Sequence, residues 1–215
     1  GGPNDPIDSV SLHGSGFVVE GGFLGIASEP ANSPAVFDGS SWHPARPGGL
    51  GVVCCPTTLS TYDGDLLISS NNSSLEAPST TAAHGVARFT PSGWQGLSGG
   101  LHGGEVNELL EHGGVLYVQG EFEHTGGVQG WPSVPLPGWA TWDGNQWASW
   151  TPPPTGSFGE TYYLGIQAGD VTVGGSAWDF GQYELMARWD GSTWSSFPPG
   201  SPLTGGYVTD AVEFD

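Results

Sequence analysis

The groups in this chain that could do chemistry are six histidines, 22 acidic residues and two adjacent cysteines, and their spacing argues against most of it. His13, His43, His84, His102, His112 and His124 never fall at a zinc-binding separation such as HExxH, and no cysteine joins them in a finger pattern. His13 and His112 stand in the strings "LHGSG" and "EHGGV", which reads them as residues of tight turns. No GxSxG elbow, phosphate-binding glycine loop or EF-hand loop occurs. Asp38, Asp63, Asp143 and Asp190 each precede a glycine, where turn formation already requires Asp and Gly, so calcium is not needed to explain them. No catalytic residue, metal ligand or cofactor is expected.

Two local features exceed that inventory. Cys54 and Cys55 in "VVCCPTT" are the only cysteines, so an intramolecular disulfide must join neighbours. Their Cα atoms would lie about 3.8 Å apart across a trans peptide, closer than a disulfide usually allows, so the ring is strained. In an oxidising compartment this vicinal bond would lock a bend; each thiol could instead bond elsewhere. The second feature is a proline-stiffened stretch in which Trp131 and Trp139 stand among Pro132, Pro135 and Pro137. With Tyr162, Tyr163 and Trp178 these side chains are candidate platforms on which a sugar ring could stack, or anchors for a protein partner. A Trp tucked over a sheet edge is the plainer reading. Asn71 and Asn72 each begin an Asn-x-Ser sequon in "NNSS", which is expected on an exposed loop as a candidate glycosylation site.

The elements that would position these residues are repeated. Phe37/Trp42, Phe89/Trp94, Trp142/Trp147 and Trp189/Trp194 are aromatic pairs five residues apart, with "DGSS", "TPSG", "DGNQ" or "DGST" between them. On one continuous strand an odd spacing would send the two rings to opposite faces. Across a hairpin they meet on one face, where such pairs contribute about 0.2 to 1 kcal/mol. Each pair is preceded by an apolar, β-branched run ("GFVVEGGF", "DLLISSNN", "VLYVQGEF", "DVTVGGSAW") and before that by an alternating run into a turn ("IDSVSLHGSG", "TTLSTYDGD", "VNELLEHGG", "YYLGIQAGD"). The unit is a four-stranded antiparallel meander near fifty residues long, with units at approximately 7–50, 51–102, 103–155 and 156–203 and a partial unit at 204–215. Arg88 and Arg188 fall one residue before the aromatic in two units, which one inter-sheet salt bridge or one hydrogen bond to a turn would explain. Thirty-eight glycines and 18 prolines leave little room for long helices. The fold expected is all-β: a single β-propeller domain or fragment of about four complete blades plus the first strand of a fifth, with a β-solenoid of the same units as the alternative.

Charge narrows the partners. Three arginines and no lysine against 22 acids give a formal net charge of −19, which would repel nucleic acid and anionic membranes. No stretch approaches the length of an apolar membrane span, and the first residues carry neither basic residues nor an apolar run, so any signal peptide is expected to lie outside this chain.

The strings "WDGSTW" and "LYVQGEFEHTGG" upstream of "ATWDGNQW" resemble the fifty-residue repeat of secreted bacterial β-propeller proteins and of the fungal cortical polarity-marker ectodomain, distant relatives of kelch and galactose-oxidase blades. The likeness runs from Ile7 to the end, although "FTPSGW" replaces the WDGxxW form in the second unit. It implies the fold and not the activity; the leading expectation is a secreted or cell-surface, non-catalytic binding module whose partner is a protein or glycan at an extracellular surface. A carbohydrate-binding propeller is the alternative, and a galactose-oxidase-like or hydrolytic enzyme a second one. An unpaired edge strand would also permit self-association.

Overall fold

Tight turns set the architecture. A computed structural model describes residues 5–13, 16–23, 25–26, 29–30, 34–44, 56–75, 83–90, 93–126, 132–151, 161–176, 186–196 and 207–211; Cys54, Cys55, Trp131 and Trp178 lie outside them. Every regular element among these residues is a β-strand. The first sheet is built from β1 (Ile7–His13), β2 (Gly16–Gly21), β5 (Ala35–Phe37) and β6 (Trp42–Pro44), with the short pair β3 (Gly25–Ile26) and β4 (Glu29–Pro30) between β2 and β5. The second holds β7 (Pro56–Tyr62), β8 (Asp65–Leu75), β9 (Ala83–Thr90) and β10 (Gly93–Gly96). After β11 (Leu101–His102), the third takes β12 (Val106–His112), β13 (Val115–Gly120), β16 (Trp139–Trp142) and β17 (Trp147–Ser149). β14 (His124–Thr125) and β15 (Val134–Pro135) join β11 in a small three-stranded sheet. The fourth sheet comprises β18 (Thr161–Gln167), β19 (Asp170–Gly175), β20 (Met186–Trp189) and β21 (Trp194–Ser196).

Each four-stranded sheet is an antiparallel meander in sequence order, as the repeat requires, and none closes on itself among the described residues. The first three belong to one compact body, Gly1–Ser149, and the fourth to a second, Trp150–Asp215.

In the second, third and fourth units the first hairpin turns through two residues with positive φ: Asp63 and Gly64 (51° and 79°), Gly113 and Gly114 (62° and 78°), Ala168 and Gly169 (52° and 84°). This is the mirror-image turn whose twist matches that of the flanking strands, which is why "DG", "GG" and "AG" stand there. Each first strand then carries an irregularity of register, between Ile7 and Ser9, Pro56 and Leu59, Val106 and Glu108, and Thr161 and Tyr163. One extra residue resets the alternation and brings Val106 and Leu109 to the same core, both buried.

By backbone register, the two positions of every aromatic pair sit directly opposite one another across their hairpin. Ring centroids are 5.1 Å apart for Phe37/Trp42, 5.2 Å for Trp142/Trp147 and 5.3 Å for Trp189/Trp194, with planes tilted by 51°, 51° and 48°. The same clamp has been written three times with the same geometry. The second unit is the exception. Trp94 stands on β10 opposite Phe89, but its side chain lies outside the described residues, so the clamp expected there extends only to the pairing of the two backbones.

Within the first body the sheets pack face on face. Leu59 of β7 joins Val18 and Val36 of the first sheet, and Tyr62, Leu67 and Val86 of the second sheet join Leu109, Val118 and Trp142 of the third. The first strands β1, β7 and β12 adjoin in succession. Two directed bonds fix the second contact: Tyr62 Oη donates to Gly114 O at 3.1 Å, and Trp147 Nε1 donates to Leu97 O at 3.0 Å. Leu97 lies three residues beyond Trp94, the tryptophan of the preceding unit. In the second body Trp150 occupies the corresponding place, is 4% exposed, and packs 5.3 Å from Trp194, whose Nε1 donates to Thr151 O at 2.8 Å. A clamp tryptophan therefore bonds to the chain just past the preceding hairpin in both cases.

Several expectations change. Arg88 meets Asp65 at 2.7 Å and Asp63 at 3.5 Å, and Arg188 meets Asp170 at 3.2 Å. Each pair lies within one sheet, so the inter-sheet bridge does not hold, while the bond from Arg88 to Asp63 is the alternative, a bond to a turn. Asn71 and Asn72 fall inside β8, not on a loop, because β8 resumes pairing with β9 after a slip of register between Ser69 and Ser74. Trp139 opens β16 opposite Gln119 and is buried. Residues 207–211 make a bridge, Tyr207 to Ser176, and pack Val208 and Ala211 on Tyr163 and Met186; they do not extend into a regular strand.

Ala168 is the one alanine forced to positive φ among the described residues, at 52°. Ala168→Gly is expected to raise stability by about 1 kcal/mol, the relief of the left-handed penalty exceeding glycine's entropy cost. Urea unfolding of the two proteins checks this.

Candidate functional site

Three histidines far apart in the sequence converge. His84 on β9, His102 on β11 and His124 on β14 form a row, with ring centroids 4.3 Å apart and planes tilted by 36° for the first pair, and 5.4 Å and 8° for the second. The chain must approach itself closely to build this. After β10 it turns through Ser98, Gly99 and Gly100, all at positive φ, and a Cβ on Gly100 would lie 2.5 Å from the His84 carbonyl oxygen. Only glycine lets β11 sit that near β9.

His102 and His124 are then direct cross-strand partners, and His124 faces Pro135 on β15. Backbone bonds hold the arm in place: Glu123 N donates to His102 O at 2.8 Å, Leu136 N to Glu123 O at 2.8 Å, and Thr125 Oγ1 to Gly100 O at 2.6 Å.

All three rings are half-buried. Burial, and secondarily the charge His102 would carry, holds the His84 imidazole below its usual range. His102 Nε2 lies 2.7 Å from Gly99 O, an acceptor, so that nitrogen carries the hydrogen and donates. His124 Nδ1 is buried and meets no hydrogen-bonding atom among the described residues. Imidazole lone pairs lie in the ring plane, so stacked rings do not aim them at one point, and no group of three or more ligating side chains among the described residues could hold a metal ion. What such a row can do is bind and release protons. Linear spacing could not have revealed it, because the three residues come from three strands.

A Ser, His and Asp also meet, on the second hairpin of the first sheet. His43 Nε2 lies 2.9 Å from Asp38 Oδ2 and 3.1 Å from Ser41 Oγ. Both partners use the same ring nitrogen. A nucleophilic relay needs the hydroxyl on one nitrogen and the carboxylate on the other, so this cluster is a turn and not a triad.

The turn itself recurs. Asp38 Oδ1 accepts from Ser40 N and Ser41 N at 2.8 and 2.9 Å, Asp143 Oδ1 from Asn145 N and Gln146 N at 2.9 and 2.8 Å, and Asp190 Oδ1 from Ser192 N and Thr193 N at 2.9 and 2.8 Å. The carboxylates named as possible calcium ligands are thus committed to backbone N–H groups. Asp63 has a different role, as a central residue of a first-hairpin turn.

Of the aromatic candidates, Trp139 and Tyr163 are 4% and 9% exposed, and Tyr163 Oη accepts from Gln167 Nε2 at 3.0 Å. Neither offers a ring face to solvent. Tyr162 is half-buried and packs 5.6 Å from Tyr207, which is 69% exposed. Tyr207 was not singled out from the sequence, where it reads only as the start of a fifth unit. The structure leaves Trp131, Trp178 and the cysteine pair outside its described residues.

The N–H bonds at Asp38, Asp143 and Asp190 hold all three carboxyls below the usual carboxylate range. A depressed folded value means stability that is present above the unfolded value of about 3.9 and lost as pH falls below it. Asp143→Asn and Asp190→Asn keep an acceptor oxygen without the titration, so their melting temperatures should fall less steeply than the parent's below about pH 4. Melting curves across the acid range test this. The chain matches no protein-family model, and no curated protein is similar to it, so the functional reading rests on this geometry.

Proposed function

We propose that this chain is a run of β-propeller blades that serves as a secreted or cell-surface binding module without chemistry of its own. The observation that carries the reading is the repeated link from one clamp tryptophan to the chain beyond the preceding hairpin, Trp147 to Leu97 and Trp194 to Thr151. A sheet whose aromatic face is covered by the chain that leads into it has the nearest-neighbour construction of blades and solenoids. Adjoining first strands in the first body favour blades set around a common axis over a linear stack.

The groups that might have reacted serve this construction instead. The Asp-Gly carboxylates cap turns, and Asp65 and Asp170 hold arginines. With so acidic a surface, the partner is a protein or a neutral or basic glycan and not a polyanion.

One observation favours a carbohydrate as that partner. Tyr207, exposed and backed by Tyr162, is the kind of aromatic face on which a sugar ring stacks. A glycan array probed with the purified chain and with Tyr207→Ala separates the two readings. Binding to a defined glycan set that falls about tenfold or more in the variant supports the lectin reading. Absence of glycan binding leaves a protein partner, and glycan binding indifferent to Tyr207 removes this residue from the site.

A further inference from the structure

We propose that the His84–His102–His124 row is a proton-sensitive clasp that holds the β14–β15 arm against the second sheet when its rings are neutral and releases it when they charge. The geometry sets the condition. Rings 4.3 and 5.4 Å apart pack well as neutral flat surfaces, but protonating both members of either adjacent pair places like charges at that separation. An added hydrogen on His124 Nδ1 would be buried with no acceptor. His102 already spends its Nε2 hydrogen on Gly99 O, so a second proton would go to Nδ1.

The surroundings do little to offset this. On β9 the nearby charge is Arg88, itself engaged by Asp65 of β8. Glu105 after β11, and Glu121 and Glu123 before β14, are exposed, where solvent screens them. The turn 97–100 and β15 carry no titratable group.

The arm is also weakly built, since β11, β14 and β15 are two residues long and share two paired positions at each junction. The sign follows. An imidazole kept neutral by the fold contributes stability in full above the unfolded value of about 6.5 and loses it as pH falls below that value. This window lies well above the acid range in which the Asp turns titrate.

Hydrogen exchange of the full chain, read by NMR at about pH 7.5 and about pH 5.5 and corrected for intrinsic rates, tests the clasp. The amides of Glu123 and Leu136, which close the arm, should lose protection by about tenfold or more on acidification, while amides of β8 and β9 keep theirs. His102→Phe preserves a flat ring and removes both close charge pairs, so the arm should keep its protection at both pH values, whereas His84→Phe leaves the His102–His124 pair in place and should reduce the acid loss only in part. Equal protection of the native arm at both pH values would overturn the proposal. So would the same acid loss in the Phe variants.

Discussion

The indole hydrogen of the clamp tryptophan is the constraint on which the rest depends. A tryptophan packed into a protein must still find an acceptor for its N–H, and an unsatisfied buried donor costs about 1 to 3 kcal/mol. Two of the clamps find theirs beyond their own sheet, Trp147 at Leu97 O and Trp194 at Thr151 O. Such a unit is complete only when the chain before it is in place. Leu97 and Trp150, each three residues past the tryptophan position of the preceding hairpin, supply the apolar cover over the same aromatic pair. Stability then accrues by neighbour contacts, which suits a chain with almost no basic residues and few options for long-range ion pairing.

Turn chemistry supports that contact rather than competing with it. The aspartates cap their hairpins through two backbone N–H groups each, which fixes the two rings of a clamp opposite one another. The in-sheet pairs Arg88/Asp65 and Arg188/Asp170 neutralise both described cations at equivalent positions. Between them, these roles absorb much of the chain's chemical potential. The histidine row is the exception, because an aliphatic side chain would fill the same place without titrating.

The four meanders, and the clamps of the first, third and fourth, were legible in the sequence because both depend on local spacing, five residues across a hairpin and two at a turn, whereas the extra residue in each first strand was not. For Phe89 and Trp94 the same spacing set the hairpin register. The His84–His102–His124 row was not legible, since it depends on how β9, β11 and β14 are brought together, and no linear pattern encodes that. Trp139 illustrates a subtler limit. Its proline-rich surroundings suggested exposure, yet the chain enters β16 at that residue, opposite Gln119. Asn71 and Asn72 show the same limit, a polar, loop-like string that falls within β8, where pairing with β9 slips its register. Composition marks where a chain turns easily; it does not say whether a partner strand is waiting.

Trp147→Phe tests the central claim most directly, because it keeps a ring on Trp142 while removing the donor to Leu97 O and part of the indole's bulk. Urea unfolding of this variant should show a loss of about 1 to 3 kcal/mol, the cost of stranding a carbonyl and a packing site between two sheets. A variant as stable as the parent would contradict the account, leaving the clamp as an ornament of its own hairpin.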